Sequence, residues 1–265
     1  MIFIELEYTG KISATPLTRF TAHFRLSCGI LRLMKCASLA ICVALMMLQS
    51  GCVTGRRELS LTVPSGTASA AASGRVFLAA VTDDRQFENK PDDPSTPSID
   101  GDVSKLSAGE KDRMVGRQRN GFGHAMGDVS LAANDTVTKQ IRSLIEQALQ
   151  GRGFQVTSDP GAPNVMTVSV REFWSWMTPG FFALTFEAKI QCAITVKNAT
   201  GSHTLTVKGY GLNHGQFAKD VNIVEAFDPA YADFLSNFAD NVGTLGLSRD
   251  ATGSAQVAGP GHGGG

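Results

Sequence analysis

The sequence predicts an α+β domain, a single mixed or antiparallel sheet with two amphipathic helices packed on one face. Three observations carry this. Residues 184–196 alternate apolar and polar side chains with a period of two, the mark of a strand with one buried face. Two segments, one from Val137 and one from Asp228, repeat apolar residues with the 3.6-residue period of a helix. The order strand, hairpin, helix, strands, helix lets one sheet and two helices bury every apolar stripe.

Taken in order, Val76–Val81 is a short apolar run ended by Thr82-Asp83-Asp84-Arg85, a buried strand. Residues 86–112 are polar and interrupted by Pro91, Pro94 and Pro97, which predicts a mobile surface loop. Met114 to Gly123 reads as a hairpin with Arg117 and Arg119 at its tip. Asn120-Gly121 is the favoured type I′ pair, because both central residues need positive φ. Asn134 or Asp135 caps the first helix, on which Val137, Ile141, Leu144, Ile145 and Ala148 share a face. Gly151 suits the left-handed position that ends it.

Phe154 and Val156 begin a short strand, and residues 165–173 form another. In the clearest strand, Leu184, Phe186, Ala188, Ile190, Cys192, Ile194 and Val196 hold the apolar parity. Asn198-Ala199-Thr200-Gly201 turns the chain into a partner strand over 203–212. Asp228-Pro229 opens the second helix with Asp as N-cap and Pro at N1, and Tyr231, Phe234, Leu235, Phe238 and Val242 share its face. The domain spans residues 75–247, and the Gly-rich tail 248–265 is predicted to be disordered.

What precedes the domain gives an address. From Met34 the chain reads as a basic residue, an apolar run of about 13 residues, and small residues before Cys52. A membrane-spanning helix needs about 20 apolar residues, so this is a secretory signal over residues 34–51. Ser50-Gly51-Cys52 resembles the end of a lipobox, where cleavage leaves a lipid-bearing cysteine; Gln49 departs from the usual aliphatic residue. Residues 1–33 fit no part of a signal and read as an over-extended start. Residues 52–74, rich in Thr, Ser, Ala and Gly, read as a flexible tether.

Charge and cysteine content narrow the classes. The formal net charge is +0, and removing residues 1–51, with five basic and two acidic side chains, leaves about −3. Nothing global recruits nucleic acid. Lipidation of Cys52 leaves Cys192 without an intramolecular partner, so packing alone must hold the domain.

Several patterns then occur together: a strand ending Asp83-Asp84-Arg85, a hairpin with Gly116, Asn120, Gly121 and Gly123, the run Gly127-Asp128-Val129, and Gly151-Arg152-Gly153-Phe154 after a helix. With the lipobox, this order over residues 40–245 resembles the YajG-type bacterial lipoproteins. The insertion at 86–112 and an aromatic loop at 173–182 depart from that pattern. The resemblance implies an envelope location and a fold type, and it brings no catalytic residue.

The search for chemistry is mostly subtractive. Gly121-Phe122-Gly123-His124-Ala125-Met126-Gly127 follows a charged hairpin instead of a buried parallel strand, so it is no dinucleotide fingerprint. Asp100-Gly101-Asp102 would need a bidentate Glu where Lys111 stands, which excludes a calcium loop. His124, His203 and His214 have no zinc spacing. Cys192 sits on the apolar parity of a strand and reads as core. Asp83, Asp84, Asp92 and Asp93 lie partly in a loop that would not hold paired carboxylates for acid–base work. No catalytic residue, cofactor or metal is expected.

The most suggestive segment is Phe173 to Phe182, which holds both tryptophans of the chain around Pro179-Gly180. Trp174, Trp176, Phe181 and Phe182 either extend the core or form an aromatic tip for a membrane or a partner. Arg117, Arg119 and Phe122 are a second candidate contact. The expectation is a non-enzymatic envelope lipoprotein, an accessory or protein-interaction module anchored in the bilayer through Cys52, with an envelope protein as possible partner. The alternative is a periplasmic ligand- or cell-wall-binding domain with a groove between sheet and helices. Val53 is not the Asp that retains lipoproteins in the inner membrane of enterobacterial-type cells, which points to the outer membrane.

Overall fold

The structure, a computed structural model, describes residues 55–66, 73–120 and 122–249. Residues 1–33, the signal segment 34–51, Cys52 and nearly all of the tail 248–265 lie outside the described residues. The described chain is α+β. Its strands are β1 (Arg57–Leu59), β2 (Gly74–Asp83), β3 (Met114–Arg119), β4 (Ala125–Leu131), β5 (Phe154–Thr157), β6 (Asn164–Pro179), β7 (Leu184–Asn198) and β8 (Gly201–Gly215). Its helices are α1 (Ala108–Lys111), α2 (Val137–Gly151) and α3 (Asp220–Asn241), with two short 3-10 turns.

β6 is the spine of a curled, mixed sheet. Along one edge it pairs antiparallel with β7, from Val165↔Lys197 to Pro179↔Leu184, and β7 pairs antiparallel with β8. The other edge is shared. Val165 to Val170 run parallel to β2, which carries β5, while Ser175 pairs with Gly116 of β3, which carries β4 and then β1. The sheet therefore forks along β6.

A bulge gives that fork two faces. Pairing between β6 and β7 slips between Val170 and Glu172, so Arg171 is an extra residue. One extra residue reverses which side chains face which way. Met166, Val168 and Val170 enter the main core before the bulge, and Phe173 and Met177 after it. Trp174 is thereby turned to the opposite face, where it packs with Ile99 and Met114. The unbulged β7 keeps Phe186 through Val196 on the main core throughout, as its alternation predicts.

Both long helices contribute to that main core, α2 through Ile141, Leu144, Ile145 and Leu149, α3 through Phe227, Tyr231, Phe234 and Phe238. The Tyr231 hydroxyl donates to Gln140 Oε1 at 2.9 Å and ties one helix to the other.

Six expectations need correction. α3 starts at Asp220, so Pro229 lies inside it instead of at N1; burial of Ala226 and Phe227 upstream carries the helix through. The N-cap of α2 is Thr136, and the left-handed glycine after the helix is Gly153, φ 79°, because Gly151 is still helical. The hairpin loop is longer than a type I′ pair. Asn120 N donates to His124 O, and of the non-glycine residues described only Lys90 has positive φ. Residues 57–61, expected in a free tether, add strand β1 to β4 and bury Leu59 and Leu61. The segment 86–112 is folded onto the sheet, with Phe87, Ile99, Val103 and Leu106 covering Trp174 and Trp176.

Candidate functional site

Three places concentrate side chains with chemical potential. The first is the fork. Arg85 leaves the end of β2 where β2 gives way to β3, and its guanidinium is fully buried. All five of its N–H donors find acceptors. Nε and Nη2 grip Asp83 at 2.7 and 2.8 Å, Nη1 reaches Met114 O and Phe173 O at 2.6 and 2.8 Å, and Nη2 also reaches Lys111 O at 2.7 Å. The Phe87 ring lies 5.2 Å from its charge centre. A guanidinium so completely used has nothing left for a ligand, and its role is to close the fork.

The second is a cleft of about 390 Å³ between the 90–101 segment and the β3–β4 hairpin. Lys90, Arg117, Arg119 and His124 line it together with Asp92 and Asp100. Arg117 is buried and committed, with Nε 3.4 Å from Asp128 Oδ1 and Nη2 3.7 Å from Asp100 Oδ1. Burial raises the Asp128 carboxyl above the usual range, against a backbone N–H from Asp100 and the charge of Arg117. Arg119 is less satisfied. Its Nη1 donates to Gly123 O, but its Nε is buried without an acceptor among the described residues. Burial, and then the neighbouring Arg117, lower its pKa.

The third is the end of the sheet at which β3 turns into β4 and β6 into β7. Phe122, Phe181 and Phe182 are 88%, 94% and 86% exposed there, and the last two rings meet edge to face at 4.6 Å. Phe217, 70% exposed, follows β8 at the same end, because Gly215 pairs with Leu184.

The expected contact residues therefore divide. Trp174 is 1% exposed and donates from Nε1 to Pro94 O, and Trp176 is half-buried beside it. Arg117 is also internal, so neither Trp174 nor Arg117 presents a contact surface. Phe122, Phe181 and Phe182 come together at one end, and Arg119 lines the cleft behind them. Phe217 was missed; its one signal was a lone aromatic in the aperiodic stretch Gly215-Gln216-Phe217-Ala218-Lys219. Cys192 is fully buried on β7 and burial pushes its thiol well up, which leaves it inert as a nucleophile. Among the described residues no three His, Cys, Asp or Glu side chains are grouped to hold a metal ion.

Residues 118–237, from the end of β3 through most of α3, match the model of a family described as "Uncharacterized lipoprotein". Over that stretch the domain is similar to the YajG-type lipoproteins. The matched part of this domain includes β4, α2 and the β6–β7–β8 meander; the fork arginine and the 86–112 segment precede it. No curated protein matches the chain. Among solved structures, one titled only as an uncharacterized protein has 11% identity and a TM-score of 0.35, covering 71% of this chain and 98% of its own. Another, from Xanthomonas campestris and assigned to the family DUF330, has 15% identity and a TM-score of 0.36, covering 72% of this chain and 94% of its own.

Proposed function

We propose that this chain is a bacterial envelope lipoprotein, anchored through a lipid on Cys52, whose YajG-type domain is a non-enzymatic protein-interaction module on the periplasmic leaflet of the outer membrane. The observation that carries the reading is the lipoprotein-family match of the domain behind a signal segment ending at Ser50-Gly51-Cys52. Two further features support it. β1 begins five residues after Cys52 and is fixed to the sheet edge, so the domain is held on a short leash. Its one described thiol is buried and unreactive, which suits a binding role better than a nucleophilic one.

The test is Cys52→Ser in the full chain. The variant is expected to keep its signal segment or be cut elsewhere, to lose the lipid mass, and to run without the mobility shift of the parent. A parent protein whose mature N-terminal peptide carries no lipid would overturn the reading.

A second reading has one observation behind it, the basic-lined cleft. It lies under the 90–101 segment instead of between sheet and helices, where the packing is filled by Leu144, Phe173, Phe227 and Phe234. A cell-wall glycopeptide that raised the thermal midpoint of the parent but not of Arg119→Ala would favour a ligand-binding role.

A further inference from the structure

We infer that the aromatic end of the sheet, formed by Phe122, Phe181, Phe182 and Phe217, is the face that dips into the bilayer carrying the Cys52 lipid. The inference rests on the lipid-anchor reading above and adds an orientation to it.

The first argument is that four apolar rings share one end. The pairs Arg119↔Ala125, Pro179↔Leu184 and Leu184↔Gly215 bring the three connections after β3, β6 and β8 to the same side. A side-chain carbon placed on Gly123 would lie 3.8 Å from the Pro179 ring, so the first two tips are neighbours. Phe rings have no polar tip to keep in water, and a cluster of them left exposed marks a contact surface. The opposite end of the hairpin β7–β8, at Asn198–Gly201, carries polar residues instead.

The second argument is where the anchored segment enters the domain. β1 runs parallel to β4 with Arg57 opposite Val129, so following the chain backwards from Arg57 leads towards Ala125 and the hairpin tip. Gly55 O accepts from Gln118 Nε2 at 2.9 Å. It passes so close over Gly127 that a Cβ there would lie 2.5 Å from Gly55 O. Arg57 then bridges to Asp220 at 3.0 Å, which ties the incoming chain to the start of α3, three residues after Phe217. Gly55 is the third residue after Cys52, a reach of about 10 Å even when fully extended. A lipid on Cys52 therefore holds the bilayer surface at the end that carries the four rings.

The flanking charges agree with a lipid surface. Arg56, Arg57 and Lys219 border this end, where cations attract anionic headgroups, and Lys219 Nζ lies 5.9 Å over the Phe217 ring. Arg57 is paired with Asp220, and Arg56 stands 3.9 Å from both Glu110 and Asp128. Membrane affinity of such a face scales with the apolar area inserted, and here it supplements the acyl chains.

The experiment uses the full chain, processed in bacterial cells and reconstituted in vesicles of phosphatidylethanolamine and phosphatidylglycerol. Cys192 is buried, so Phe182→Cys and Phe217→Cys accept a thiol-reactive, polarity-sensitive dye selectively, with exposed Ser202→Cys as the distal control. Blue-shifted emission at 182 and 217, quenched several-fold more strongly than at 202 by a nitroxide lipid, supports the inference. A lipidated protein whose labels at 182 and 217 match 202 overturns it and leaves the anchor reading standing. In native envelopes, labels shielded from both aqueous and lipid quenchers would show a protein on this face and overturn it as well. If mass spectrometry finds no lipid on Cys52, the anchor reading falls, and the inference with it.

Discussion

Arg85 illustrates how one side chain can decide a topology. Where β2 leaves β6 and β3 takes over, the carbonyls of Lys111, Met114 and Phe173 converge on a point that no strand can reach. Arg85 supplies the donors, and Asp83 neutralises it through two oxygens. Replacing Arg85 by Met would keep much of the volume but strand the carboxylate and three carbonyls. The expected loss is about 3–5 kcal/mol, the range for breaking a buried ion pair, read from urea unfolding of parent and variant. Asp84, next in sequence, works by a different rule. Hydroxyl hydrogen bonds from Ser169 and Thr82 lower its pKa below the ordinary 3.8. Its folded pKa is depressed, so its stabilisation is present above the unfolded value and lost as pH falls through the native one. Ser169→Ala is expected to cost about 0.5 kcal/mol at neutral pH, since water screens this carboxylate, and the difference from the parent should vanish in acid titrations of stability. The triplet Asp83-Asp84-Arg85 was visible in the sequence as a strand end. Its distant partners were not, because they lie 26 to 88 residues further along the chain.

Elements show the same division between what local pattern reveals and what long-range packing decides. The alternation of β7 and the helical stripe of α2 were legible because each repeats over many residues against a single core. The start of α3 was misread, since Asp-Pro is a strong first-turn signal. The helix runs through Pro229 because Ala226 and Phe227 before it and Tyr231 and Phe234 after it are all buried, against about 3 kcal/mol for an interior proline. That helix lies directly on the backbone of β8. A Cβ on Gly209 would collide with Ala230 O and one on Gly211 with Ala226 O, so both positions must lack a side chain. Gly211→Ala is expected to push α3 off the sheet and cost about 1–3 kcal/mol, as overpacking does, seen as a lower thermal midpoint by circular dichroism. Neither glycine carried a local signal, because the constraint comes from a helix more than ten residues away.

At the scale of the whole molecule, the described residues build two cores on opposite faces of one curled sheet, and only one of them was foreseen. The α+β class was legible from element order. The fork was not, because the parallel pairings of β6 with β2 and β3 join strands through long crossovers that leave no local trace. The second core follows from the Arg171 bulge, which turns Trp174 away from the helices and requires a cover. The 86–112 segment is that cover. Its far end is fastened where Thr138 N donates to Asp112 Oδ1 at 2.9 Å and Arg113 meets Glu58 at 2.5 Å. Ile99 is the side chain that seats it on Trp174 and Met114, and it also lines the cleft. Ile99→Ala removes buried carbon worth about 2–5 kcal/mol at such a site, but the loss falls on the smaller core. Because Trp174 and Trp176 both pack on this face, tryptophan emission reports on the cover, whereas far-ultraviolet circular dichroism reports on the main sheet and helices. In Ile99→Ala the emission is expected to shift to the red, with easier acrylamide quenching, at urea concentrations below the dichroism transition, as local opening of a less stable unit requires. Coincident transitions by the two probes would instead make the cover and the main core a single cooperative unit.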